Sequence, residues 1–138
     1  MKTIIKPQSA AAPIGPYNHA VRIGDLLFCS GQIPLDSATG NLVVGDIRAQ
    51  TERVLENVKA ILDDQRMTFA NIVKSTVFMT NLGDFAAMNE VYARYFTADF
   101  PARSTVQVAA LPRGAGVEIE VIAGYETGRV GYLKQPAS

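Results

Sequence analysis

Apolar positions recur at helical spacing in two stretches of this chain and alternate with polar ones through much of the rest. In GDIRAQTERVLENVKAILDDQ, Ile47, Val54, Leu55, Val58, Ile61 and Leu62 fall on one side of a helix. Asp46 stands where an N-terminal cap belongs. GDFAAMNEVYARYF repeats the pattern, with Asp84 as its cap and Phe85, Met88, Val91, Tyr92, Tyr95 and Phe96 as its buried stripe. Residues 17–33, YNHAVRIGDLLFCSGQI, read as two strands about a turn at Gly24-Asp25, and PLDSATG after them is turn chemistry. ANIVKSTVFMTNL alternates as a strand with Val73, Val77 and Met79 on one face and Ile72, Lys74, Thr76 and Phe78 on the other. FPARSTVQVAALPRGAGVEIEVIA, residues 100–123, reads as two more strands.

The order strand–strand, helix, strand, helix, strand–strand predicts an α+β fold, with a mixed sheet and two helices packed on one of its faces. The second face mixes Thr, Lys, Ile and Phe. It is neither a core nor a solvated surface, so it predicts a homo-oligomer. A length of 138 residues suits one domain, with its core over about 12–123 and a tail over 124–138.

Thirteen basic residues balance thirteen acidic ones with no Lys/Arg cluster, which argues against a nucleic-acid surface. No apolar run reaches membrane-span length, and Lys6 and Pro7 interrupt the N-terminal run before a secretory core could form. One cysteine, Cys29, and one histidine, His19, cannot supply a zinc site from a single chain, so no metal is expected. Cys29 reads as a small buried hydrophobe, His19 as structural or surface, and the glycines of ALPRGAG as a turn.

The charges in residues 100–123 need an explanation. Arg103, Thr105 and Gln107 share one face of their strand, while Glu118 and Glu120 fall opposite Val117, Ile119 and Val121. Both polar faces are expected on the side away from the helices. Solvent accounts for them, and so does a ligand. If a neighbouring subunit covers that side, Arg103 and Glu118 end in a cleft where a charge must be paired or await an anion. A guanidinium suits a carboxylate, and a glutamate can orient or deprotonate water. A simple hairpin centred near Pro112 would set Thr105 opposite Glu120 and keep Arg103 from Glu118. A bulge, another strand order or a neighbouring chain is then required to unite them. Gly15-Pro16 before Tyr17, and Ser30-Gly31 at a strand end, are further places where backbone or side chain could meet a ligand.

Together API-GPYNHAV, LFCSGQIPLD-TG, AQTERVLENVKAIL, IVKSTVFMTNL-DFAAMNEVYARYF, FPARSTVQVAALP and VEIEVIA resemble the Rid (YjgF-type) family, in its RidA branch of enamine/imine deaminases. The resemblance runs from about Ala12 to Ala123. It implies a chorismate-mutase-like α+β fold assembled as a trimer, with ligand clefts between subunits. It also implies cofactor-free hydrolysis of 2-imino acids, tautomers of the 2-enamino acids that pyridoxal-phosphate dehydratases release, to 2-oxo acids and ammonia. On the matching positions Arg103 would clamp the substrate carboxylate and Glu118 would handle the attacking water. Tyr17, Ser30 and Gly31 would line the cleft, and Asn89 stands where the family often has asparagine. Thr105 replaces a frequent cysteine, which keeps a backbone contact with substrate and removes a thiol. A cytoplasmic setting is the default. The rival classes are a non-catalytic sensor or carrier of small carboxylic acids and, from a label attached to some relatives, an endoribonuclease or translation inhibitor.

Overall fold

A computed structural model describes residues 1–10 and 12–126; the tail beyond them, left unassigned from sequence, lies outside the described residues. Strand β1 (Thr3–Ile5) opens the chain, an element the sequence pattern does not reveal. The expected hairpin follows as β2 (Ala20–Ile23) and β3 (Leu26–Gln32), with Ile23 opposite Leu26. Gly24 takes φ +57° at the first loop position, the conformation that a short hairpin turn demands and glycine adopts without strain. The first strand begins at Ala20 and not at Tyr17, because residues after Gly15-Pro16 form a tight turn in which the Tyr17 amide donates to the Gly15 carbonyl at 2.8 Å.

Helix α1 (Ile47–Asp64) is capped as expected, Asp46 Oδ1 accepting from the Ala49 amide at 3.0 Å. It buries Thr51, Val54, Leu55, Val58, Ile61 and Leu62. Strand β4 (Ile72–Met79) departs from strict alternation. Ile72 lies opposite Ala123 but Lys74 lies opposite Ile122, so the register slips between them. This bulge turns Ile72 into the core and leaves Val73 54% exposed, the reverse of the faces read from alternation. Helix α2 (Phe85–Tyr92) is shorter than its apolar stripe. Asp84 makes no capping bond; Asn81 Oδ1 instead accepts from Gly83 N in the 3-10 turn ahead of the helix. Met88, Val91, Tyr92 and Phe96 are buried, with Phe85 at the rim.

The last two strands, β5 (Ala102–Gln107) and β6 (Val117–Gly124), are not a hairpin. β4 separates them, pairing parallel with β5 and antiparallel with β6, in a six-stranded mixed sheet of order β1-β2-β3-β6-β4-β5. Leu27, Val77, Met79, Val117, Ile119 and Val121 face α1 and α2 and form the core with them. Tyr125 extends that core, its hydroxyl donating to the Gln65 carbonyl at 2.6 Å. The other face of the sheet carries Phe28 and Val106, 40% and 42% exposed, beside the half-buried Phe78, Ile122 and Thr76. Among the described residues no helix is long and apolar enough to cross a membrane.

Candidate active site

A cleft of about 430 Å³ opens where β3 parts from β6, and its lining includes Tyr17, His19, Ser30, Gly31, Asn57 and Glu118. Its origin is a bulge. Cys29 pairs with Val121 but Gln32 pairs with Ile119, so β3 spends one residue more than β6 over this stretch and Ser30-Gly31 leaves the ladder. The freed groups hold the segment after Tyr17. The Ser30 amide donates to the His19 carbonyl at 2.8 Å, and its hydroxyl donates to the Asn18 carbonyl at 2.5 Å. Ser30 therefore fixes the wall that carries Tyr17.

Gly31 has a steric task. A Cβ there would lie 2.8 Å from Glu118 Cδ and closer still to a carboxylate oxygen. The acid thus rests directly against bare backbone. Glu118 is half-buried, and its pKa is raised above the ordinary carboxylate value, first by loss of hydration and then by the neighbouring charge of Glu120. A carboxylate so placed is a stronger base than one in water. Gly31→Ala must push the Glu118 carboxylate aside; if that acid takes part in chemistry, turnover should fall at least about tenfold with little change in folding, as steady-state kinetics and circular dichroism would read.

Helix α1 braces both walls. Asn57 Nδ2 donates to the Ile33 and Leu35 carbonyls at 3.2 and 2.9 Å, and Gln50 Oε1 accepts from the Gly116 amide at 2.8 Å, two residues before Glu118. Neither residue was anticipated. The available signal was a pair of amides seven positions apart beside the apolar stripe of α1, on a face that solvent alone does not require. Cys29, behind the bulge, is buried and its thiol is pushed up to about 12, so it stays protonated.

Arg103 lies elsewhere. It stands opposite Ser75, in the row of the buried Val121, whereas Glu118 stands opposite Phe78 on the other face of the sheet. The two therefore point away from each other within one chain. The expectation that both polar faces lie away from the helices fails for β5. This edge strand sends Ser104 and Val106 to the open face and Arg103, Thr105 and Gln107 toward α2. Aromatic rings receive the guanidinium there. Its carbon is 4.7 Å from the Tyr92 centroid and 5.6 Å from that of Phe85. Asn89, half-buried, sits on α2 between those two rings in sequence, and Thr105, also half-buried, is opposite Val77. Gln107 is occupied, its Oε1 accepting from the Leu82 amide at 2.8 Å. Among the described residues no carboxylate lies within ion-pair distance of Arg103 and none of its guanidinium N–H groups has a hydrogen-bond partner.

The predicted site residues thus fall into two groups: Tyr17, Ser30, Gly31 and Glu118 in the cleft, and Arg103, Thr105 and Asn89 on the helix side at the β5 edge. The same arrangement of elements recurs in known proteins. The family model described as Endoribonuclease L-PSP matches residues 7–125. The chain belongs to this family, the Rid (YjgF-type) group. Among Rid relatives, Protein DfrA of Myxococcus xanthus is 55% identical over 121 residues, covering 86% of this chain and 92% of that protein. The 2-iminobutanoate/2-iminopropanoate deaminase of Capra hircus is 44% identical over 123 residues, 89% of this chain and 90% of that one. The crystal structure of E. coli TdcF with bound serine superposes with a TM-score of 0.85 at 45% identity, covering 90% of this chain and 99% of that one. The fold is therefore the Rid fold, and its members include proteins that bind small molecules.

Proposed function

We propose that this Rid protein hydrolyses small 2-imino acids, and their 2-enamino tautomers, to 2-oxo acids and ammonia. The cleft of one subunit would be completed by Arg103 of a neighbour in a homotrimer. The observation that carries this reading is the state of Arg103: half-buried, seated on aromatic rings, and with every donor open. A cation taken partly out of water needs an anion, and a planar fork of free N–H groups fits a carboxylate. The partly apolar open face of the sheet gives the copies a surface on which to associate. Goat deaminase and serine-bound TdcF support the same chemistry, since each name points to a small amino- or imino-acid ligand.

Arg103 would hold the carboxylate and set the C=N carbon near a water beside Glu118. Glu118 takes a proton from that water as its oxygen bonds to the imine carbon. Glu118 returns that proton to the carbinolamine nitrogen, and as the C–N bond breaks and ammonia leaves, the hydroxyl passes its proton to Glu118 and the C=O forms. Nothing is oxidised or reduced. A protonated imine is already electrophilic, so orientation and one base are enough. Thr105 would contribute backbone, and Asn89 and Tyr17 would flank the ligand. Such hydrolysis would clear reactive products of pyridoxal-phosphate dehydratases in the cytoplasm.

The test generates an imino acid in place with an amino-acid oxidase and follows its capture by semicarbazide. Wild-type protein is expected to suppress semicarbazone formation, and Arg103→Ala to lose most of that effect; full suppression by Arg103→Ala would refute the assignment. A carboxylic-acid sensor would use Arg103 but not Glu118: Glu118→Gln should spare carboxylate binding under either reading and abolish imine hydrolysis only under the hydrolytic one. The family description Endoribonuclease L-PSP names a third activity, which RNA cleavage abolished by Arg103→Ala would support.

A further inference from the structure

Two buried hydroxyls sit together beneath Arg103. Ser75 is fully buried and Tyr92 nearly so, and their oxygens are 2.7 Å apart. Ser75 stands on β4 opposite Arg103 on β5, while the Tyr92 ring carries the guanidinium at 4.7 Å. Phe96 stacks on Tyr92 with centroids 4.5 Å apart and planes inclined by 24°, and Phe69 meets Phe96 edge-on at 5.3 Å. An alanine and a phenylalanine would occupy this space without desolvating a hydroxyl, and removing both partners of a buried hydrogen bond is close to neutral for stability. Packing alone does not demand the pair. What the pair does is orient the ring: its oxygen is tied to the sheet, its plane is set by Phe96, and the ring is presented to position 103.

We propose that Tyr92, anchored by Ser75, is a positioning residue that holds the Arg103 guanidinium ready for the carboxylate of the bound acid. This rests on Arg103 being the carboxylate clamp. An arginine side chain has many rotamers, and among the described residues only the rings of Tyr92 and Phe85 engage this one. Holding it before the ligand arrives removes an ordering step from binding and leaves the chemistry at the imine carbon untouched. The effect must therefore appear in affinity and not in turnover.

Full-length Tyr92→Phe, Ser75→Ala and the double variant are compared with wild type and with Arg103→Ala. Titration calorimetry with 2-oxobutanoate gives Kd, the semicarbazide assay gives KM and kcat, and NMR of the arginine side chains reports the ring-current shift at Arg103. Each single substitution is expected to raise Kd and KM about three- to tenfold, keep kcat within about twofold and alter the Arg103 shift. The double variant should be no worse than the weaker single one, the signature of a coupled pair. Kd and KM within about twofold of wild type in both folded single variants would overturn the inference. So would a loss confined to thermal stability with KM unchanged. If Arg103→Ala loses 2-oxobutanoate binding while Tyr92→Phe and Ser75→Ala keep it, the positioning role alone falls. If Arg103→Ala binds as wild type does, the clamp and the positioning role fall together.

Discussion

Subunits carrying Arg103→Ala, mixed with subunits carrying Glu118→Gln and refolded together, are expected to regain activity that neither variant has alone. On the proposed mechanism each substitution by itself should cost about two orders of magnitude or more, one by removing a charge-assisted clamp and the other by removing the base. The recovery follows from strand register. Arg103 shares a row with Ser75 and faces α2, while Glu118 shares a row with Phe78 and faces the open side of the sheet. One chain cannot turn both toward one ligand, so a cleft that uses both, as proposed, must take them from two. In a closed ring assembled at random from equal amounts, about a quarter of the clefts receive an intact Arg103 and an intact Glu118. Were both groups supplied by the same chain, no cleft in the mixture would hold the pair. Activity near a quarter of wild type, rising and falling with the mixing ratio, is the expected result; activity no greater than the sum of the two separate variants would end the two-chain model. Native mass spectrometry on the same samples, resolving the mass difference between the two subunits, checks that mixed oligomers have formed.

The features legible in the sequence are those that neighbouring residues decide. Asp46 caps α1 because a side chain and an amide three positions on meet whatever the rest of the chain does, and Gly24 turns the hairpin for a similarly local reason. Strand alternation correctly grouped Arg103 with Thr105 and Gln107, and Glu118 with Glu120. What alternation cannot supply is which of two faces a strand turns inward. For β5 that choice depends on Tyr92 and Phe85, which come from α2, and on β4 lying between β5 and β6. The bulge at Ile72–Lys74 was equally invisible, since both Ile72 and Val73 are apolar and only the pairing with β6 decides which is buried. Arg103, Glu118, Tyr17 and Ser30-Gly31 stood out from strand and turn patterns, Asn89 and the roles came from resemblance, and the division of these positions into two groups came from topology. Tyr92 carried a clue in its own chemistry, because a residue counted into a buried stripe still has a hydroxyl that needs a partner.

Glu118→Gln should make the protein inactive and more stable at once. Burial, and after it the charge of Glu120, raise the Glu118 pKa above 4.5 in the folded state. A carboxyl raised in this way binds its proton more tightly folded than unfolded. Its favourable contribution is complete below the unfolded value of 4.5 and is lost as pH rises through the folded one, so at neutral pH the ionised group opposes folding. Glutamine keeps the shape and removes that opposition. In urea titrations the variant should exceed wild type at pH 7, and the gap should close as pH falls below 4.5. An equal midpoint at pH 7 would mean that hydration reaches Glu118 freely. Kinetics give the complementary sign. If Glu118 is the base proposed, it works only when ionised, so kcat/KM of the wild type should fall on the acid side with a midpoint above 4.5, and Glu120→Gln should move that limb to lower pH by taking away the like charge. Binding of 2-oxobutanoate to Glu118→Gln, read by calorimetry, should persist because Arg103, the proposed clamp, is untouched. A variant that loses affinity and turnover together would make Glu118 a binding group. One that keeps affinity, gains stability and loses turnover would show an acid held out of water at the expense of the fold because the reaction needs a base there.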